Sequence, residues 1–178
     1  MKPSKIIFRI LGFTCVLLSL MVIFGCTRIN TQERIPDRSW LTDFAQAQEA
    51  ARSKNLPILA AFVGSDWCPW CEKLEEEIFS QRNFMDYAQS HFILFQADFP
   101  RHKAQPLPLK NQNEALSKTY AVSRFPTVLI IEPQGKEKAR TGFRYGGVNA
   151  YIEYLNERLK DNGLLPNHKD PLPVSISP

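Results

Sequence analysis

Two cysteines, Cys68 and Cys71, stand two residues apart in the segment Trp67-Cys68-Pro69-Trp70-Cys71. A dithiol at this spacing can close to a disulfide and exchange it with the cysteines of another molecule. The loop that such a disulfide closes is too small to stabilise a fold appreciably. The pair is therefore predicted to carry out thiol–disulfide chemistry.

Metal or haem binding is the alternative for a close cysteine pair. A structural zinc site needs two further Cys or His ligands, and the three histidines, His91, His102 and His168, show no ligand spacing. Attachment of a c-type haem requires a histidine directly after the second cysteine, where Glu72 stands. The sequence therefore favours redox exchange and predicts neither a metal nor a cofactor.

The elements next to the cysteines predict how the pair is activated. The apolar run Ile58–Val63 predicts a strand buried on both faces, and residues 69–79 predict a helix with Cys68 at its N-cap and Pro69 at its first position. A helix N-terminus favours a thiolate, so the pKa of Cys68 is expected to fall. Cys68 is predicted to be the nucleophile and Cys71, one turn further along, the resolving cysteine.

The remaining pattern predicts an α/β fold with a central mixed sheet flanked by helices. Further helices are expected at residues 41–54, 84–90, 113–120 and 148–159. Further strands are expected at residues 91–98, 127–132 and 138–143, of which the last two form a hairpin. Residues 99–111 contain three prolines among basic residues and predict a long loop.

The size and charge of the chain limit the possible functions. Its 178 residues are 44% hydrophobic, which excludes wholesale disorder and leaves too little chain for two domains of ordinary size. The net charge is +4, but Lys2, Lys5 and Arg9 precede the first acid, Glu33. The remainder is nearly neutral, so nucleic-acid binding has no electrostatic basis.

Residues 1–26 predict an export signal, because a basic start is followed by the apolar stretch 10–24. A membrane-spanning helix of about 20 residues would have to bury Arg9, which is costly. Residues 27–39 then predict a polar tether to a domain at 40–162, and residues 163–178, with four prolines, an extended tail.

The end of this signal, Ile23-Phe24-Gly25-Cys26, resembles the lipobox of bacterial lipoproteins, although Phe24 departs from the usual pattern. Cys26 is therefore predicted to be lipid-modified, with an ordinary cleaved signal and an uncleaved anchor as alternatives. Each version carries the domain across the inner membrane, into a compartment where disulfides persist. The expected location is periplasmic, with possible attachment to the membrane through Cys26 or the N-terminal segment.

The cysteine motif, together with Arg124-Phe125-Pro126-Thr127 before a predicted strand, resembles the thioredoxin superfamily. The resemblance covers residues 40–159. It implies a thioredoxin-like fold in which Pro126 is the cis-proline facing the cysteine pair. Five residues are expected to support the active site: Trp67, Pro69, Trp70, Phe125 and Pro126.

Three further segments, 64–68, 73–75 and 98–100, are most similar to exported thioredoxin-like disulfide reductases of the DsbH type and to the C-terminal domain of DsbD. This resemblance implies disulfide-bonded exported proteins as substrates and a membrane electron donor of the DsbD type. Thioredoxin has a buried Asp in its first core strand, whereas Ala60 and Ala61 stand here. Glu72 or a water molecule could take over its role in proton transfer.

The residues between the cysteines predict the direction of the reaction. Strong oxidants stabilise their thiolate with added positive charge, often a histidine between the cysteines, and Pro69-Trp70 supplies none. A periplasmic disulfide reductase is therefore predicted. The alternatives are a disulfide-forming oxidase or isomerase and a non-enzymatic thioredoxin-like binding module.

Overall fold

The computed structural model describes residues 40–165. The predicted signal at 1–26, its Cys26, the tether at 27–39 and most of the tail at 163–178 lie outside the described residues. Within residues 40–165, no helix has both the length and the apolar character needed to cross a membrane.

Five helices and four strands make up this part of the chain. The helices are α1 (Phe44–Lys54), α2 (Pro69–Leu74), α3 (Arg82–His91), α4 (Leu107–Thr119) and α5 (Gly147–Asp161), and a π-helical turn, Glu75–Phe79, extends α2. The strands are β1 (Ile58–Val63), β2 (Ile93–Asp98), β3 (Thr127–Ile131) and β4 (Glu137–Thr141). The predicted order of elements and the predicted hairpin are confirmed.

The strands form one mixed sheet in the order β2-β1-β3-β4. β1 pairs in parallel with β2 and antiparallel with β3, so that Ala60 lies between Phe95 and Leu129. All six residues of β1 are buried, as expected for a strand covered on both faces. The mixed sheet flanked by helices confirms the predicted thioredoxin-like fold.

Successive residues of β1 enter two different hydrophobic clusters. Leu59, Ala61 and Val63 belong to the cluster that includes both cysteines, together with residues of α3 and α5. Ile58, Ala60 and Phe62 belong to a second cluster with residues of α1, β2 and β3. Because side chains alternate along a strand, β1 joins the two halves of the core and ends where the cysteine segment begins.

The prediction of a loop over residues 99–111 is wrong in its second part, because α4 already begins at Leu107. Pro106 is its N-cap and Pro108 lies in its first turn. Proline is tolerated there since the first N–H groups of a helix have no partner within it. The prolines taken as a loop signal therefore mark the start of a helix.

Two other helix boundaries also differ from prediction. The first helix starts at Phe44, not residue 41, because Asp43 accepts a hydrogen bond from the Gln46 N–H (3.1 Å) as the N-cap. Leu41 instead forms a β-bridge with Phe95. The helix predicted at 69–79 has α geometry only as far as Leu74 and then widens into the π turn.

Candidate active site

Cys68 and Cys71 are joined by a disulfide, with their Cα atoms 5.2 Å apart. Cys68 is the N-cap of α2 and Pro69 follows within the first turn, as predicted. The Cys71 N–H lies 3.2 Å from Cys68 Sγ, and the Gly64 N–H lies 3.5 Å from Cys71 Sγ. Each sulfur therefore has a backbone donor that favours its thiolate once the disulfide opens.

Trp67 is held firmly next to the nucleophile position. Its indole Nε1–H donates to the Phe99 carbonyl at 2.7 Å, and its ring meets that of Phe125 edge-on at 5.6 Å. A Cβ atom at Gly64 would overlap the Trp67 indole, so only glycine lets the end of β1 approach this closely. Trp67 thus lines the site from a fixed position.

The segment containing Phe125 and Pro126 lies beside Trp67. The Phe125–Pro126 peptide bond is cis, and Phe125 packs against both Trp67 and Phe99. Thr127 Oγ1 donates to the Arg124 carbonyl at 2.7 Å. The structure therefore brings Trp67 and the Phe125–Pro126 segment together.

Trp70, the other tryptophan of the motif, is 48% exposed. Its ring packs against Phe143 and Tyr145, with centroids 5.4 and 6.2 Å away. Lys73 Nζ lies between 5.5 and 5.8 Å from the three ring centroids. Trp70 therefore contributes to an aromatic surface next to the disulfide, supported by a cation–π contact.

A groove of about 800 Å³ runs past the cysteines. Both cysteines line it, together with the aromatic residues Trp40, Trp67 and Phe79. Its acidic lining residues are Asp66, Glu72, Glu75 and Glu76. The groove therefore brings apolar and negatively charged side chains to the disulfide.

Glu75 is a site residue that the sequence analysis missed. Partial desolvation at the groove raises the pKa of its carboxyl, although the side chain keeps contact with solvent. It follows Cys71 by four residues, a spacing that places both on one helix face and could have identified it. Glu72, which the sequence analysis considered for proton transfer, lines the same groove.

A second missed feature is the anchoring of the cysteine segment to residues 98–103. Ser65 donates to the Asp98 carboxylate through its N–H (2.9 Å) and its hydroxyl (2.7 Å). Asp66 accepts the N–H groups of Arg101, His102 and Lys103 at 2.8–2.9 Å. The hydrogen bond from the Arg101 N–H is the largest of the effects that hold the pKa of Asp66 below its usual value. Residues 33 to 37 positions apart in sequence are thus joined by hydrogen bonds.

Residues 44–155 match the family model described as a thioredoxin-like domain. Over 153 residues the chain is 36% identical to the disulfide bond reductase DsbH of Chlamydia pneumoniae, covering 82% of this chain and 92% of that protein. It is 25% identical to the thioredoxin-related protein DsbJ of the same organism, covering 71% of this chain and 37% of that protein.

Solved structures show the same likeness. A DsbH oxidoreductase superposes with a TM-score of 0.66 at 34% identity, over 74% of this chain and 93% of that one. The oxidised C-terminal domain of Neisseria meningitidis DsbD gives a TM-score of 0.51 at 20% identity, over 67% of this chain and 99% of that domain. The second match is a likeness of fold.

Proposed function

Since the chain belongs to the thioredoxin-like domain family, we propose that it is an exported enzyme that reduces the disulfides of other exported proteins. It is a thiol–disulfide oxidoreductase. The Cys68–Cys71 disulfide at the start of α2, with a backbone N–H directed at each sulfur, is the observation that carries the proposal. A membrane-bound dithiol of the DsbD type is the proposed electron donor.

In the proposed reaction the reduced enzyme attacks first through Cys68. Its thiolate forms a bond to one sulfur of the substrate disulfide, and the other substrate sulfur leaves as a thiolate and takes up a proton. Cys71 then loses its proton and attacks Cys68 Sγ, which releases the second substrate thiol. The substrate has gained two electrons and the enzyme holds the Cys68–Cys71 disulfide, which the donor reduces.

Glu75 is proposed to accept the proton of Cys71, since β1 supplies no acid at Ala60 and Ala61. Because its pKa is raised, the Glu75 carboxylate is a stronger base than that of an ordinary glutamate, and its pKa lies closer to that of a thiol. Its position on the groove that Cys71 also lines supports this assignment.

The raised pKa of Glu75 predicts a change in stability with pH. Below the ordinary pKa of 4.5 the carboxyl is protonated in both folded and unfolded chains. As the pH rises, the unfolded chain ionises first, so the folded state loses stability until the pH exceeds the folded pKa. We therefore expect Glu75→Gln to have a higher Tm than wild type at pH 7 and an equal Tm at pH 4. Glu153→Gln, on the exterior of α5, serves as the control, and equal differences at both pH values would contradict the raised pKa.

The direction of electron flow predicts a reduction potential nearer that of thioredoxin, about −270 mV, than that of DsbA, about −120 mV. Pro69 and Trp70 place no positive charge between the cysteines, so the thiolate receives only the stabilisation of the helix N-terminus. Equilibration with glutathione or dithiothreitol measures the value. A potential above about −160 mV would favour the oxidase or isomerase instead.

The lipobox-like segment that ends at Cys26 predicts that a lipid anchors the enzyme to the membrane. If Cys26 is acylated, a clickable palmitate analogue should label the wild-type protein in cells but not the Cys26→Ala variant. A soluble, unlabelled product that begins near Thr27 would instead establish an ordinary cleaved signal. An intact Met1 in the membrane fraction would establish an uncleaved anchor.

A further inference from the structure

Basic side chains border the site on the side where residues 98–103 are anchored. The Asp66 carboxylate accepts hydrogen bonds from the backbone N–H groups of Arg101, His102 and Lys103. The side chains of all three residues are exposed. Because Asp66 lies two positions before Cys68, this anchoring ties the backbone of three consecutive basic residues to the cysteine segment. The positive charges of Arg101 and Lys103 are therefore presented to solvent from a fixed backbone.

One of these residues contacts the tryptophan that precedes Cys68. The Arg101 guanidinium stacks on the Trp67 ring, with Cζ 3.6 Å from the ring centroid. Arg124, also exposed, precedes Phe125, whose ring packs against Trp67. We define the basic rim as Arg101, His102, Lys103 and Arg124.

Carboxylates also lie near the disulfide, in the groove that Trp67 and both cysteines line. They belong to Asp66, Glu72, Glu75 and Glu76. The carboxylates of Asp66 and Asp98 are occupied by backbone and hydroxyl donors. An incoming chain thus meets both the exposed cations of the rim and the glutamates of the groove, although the body as a whole is nearly neutral.

We propose that the basic rim recognises acidic side chains next to the disulfide of the substrate. This inference rests on the proposed function and adds a substrate class to it. A single exposed ion pair contributes little, but several cations on the surface next to the cysteine segment accelerate the encounter and fix its orientation. Aspartate or glutamate flanking the substrate cysteine would meet the rim as that cysteine reaches Cys68.

Three disulfide-bonded peptides that differ only in flanking residues test the proposal: one acidic, one neutral with Gln and Ser, and one basic. At about 20 mM salt we expect kcat/KM for the acidic peptide to exceed that for the neutral peptide by about threefold to tenfold. The ratio should approach one at about 0.5 M salt, where charges are screened within a few ångströms.

Substitutions in the basic rim test whether it causes the preference for the acidic peptide. In the triple variant His102→Gln, Lys103→Gln, Arg124→Gln, the ratio of acidic to neutral peptide at low salt should fall clearly below the wild-type ratio, since only Arg101 of the rim remains. Lys118→Gln is the matched control, because Lys118 is exposed near Tyr120, which bonds to the β3–β4 turn at Gly135. That turn lies at the end of the sheet away from the cysteines. The control should keep the wild-type ratio.

A binding measurement with peptides that cannot exchange disulfides distinguishes this inference from the proposed function. Peptides of the same sequences with serine in place of cysteine are titrated into the oxidised protein, and the backbone amide shifts of residues 101–103 are followed by NMR. Equal binding and equal turnover of acidic and neutral peptides would overturn the inference alone, as would preference for the basic peptide. Selective binding of the acidic peptide without turnover of any disulfide would overturn the proposed function alone.

Discussion

Replacing Cys68 with serine is expected to abolish disulfide reduction, lowering the turnover of insulin with a thiol reductant by at least about a thousandfold. A hydroxyl at this position cannot form the mixed disulfide, and the N–H of Cys71 that points at Cys68 Sγ then has no thiolate to stabilise. The assay follows the turbidity of the released insulin chain. Unchanged turnover would contradict the assignment of Cys68 as nucleophile.

Cys71→Ser is the matched comparison, since it makes the same chemical change three residues away. Cys68 can still attack in this variant, but the second step has no thiol to complete it. We expect mixed disulfides with substrate proteins to accumulate and to appear as higher bands on non-reducing gels. Accumulation in Cys68→Ser instead would reverse the two roles.

Truncating Phe62 to alanine is expected to lower the free energy of unfolding by about 3–5 kcal/mol. Phe62 is completely buried in β1, and its ring lies near those of Phe99 and Tyr120. The cavity left behind would loosen Phe99, whose carbonyl holds the Trp67 indole. The loss of stability should therefore be accompanied by slower disulfide exchange.

Urea unfolding followed by circular dichroism measures this effect. Leu107→Ala serves as the control, because it also shortens an apolar side chain but at a position that is 71% exposed. We expect it to stay within about 0.5 kcal/mol of wild type. A similar loss of stability in both variants would show that Phe62 does not have the packing role described.

Local signals made the centre of the molecule predictable. The residues of β1 form a continuous apolar run, so neither face of the strand could be predicted to face solvent. Cys68 followed by Pro69 marks the start of a helix, because N-cap and first-turn preferences depend only on neighbouring residues. Both were placed correctly. The start of α4 was missed because proline is compatible with a loop and with the first turn of a helix, and only the surrounding contacts decide between them.

The missed parts of the site depend on contacts between distant residues. Nothing near Asp66 in sequence indicates that its carboxylate binds the N–H groups of residues 101–103. The groove that Glu75 lines likewise includes Trp40 and Gln96, which are distant from it in sequence. A pattern in one segment cannot report a partner that tertiary folding brings to it.

The β-bridge of Leu41 has a consequence for aggregation. β2 is an outer strand of the sheet, and an uncovered outer strand is a template on which a foreign extended chain can aggregate. Leu41 donates its N–H to Leu94 (2.9 Å) and accepts from Gln96 (2.8 Å), so it occupies the middle of that template. An extended strand of another molecule therefore finds these backbone groups of β2 already paired.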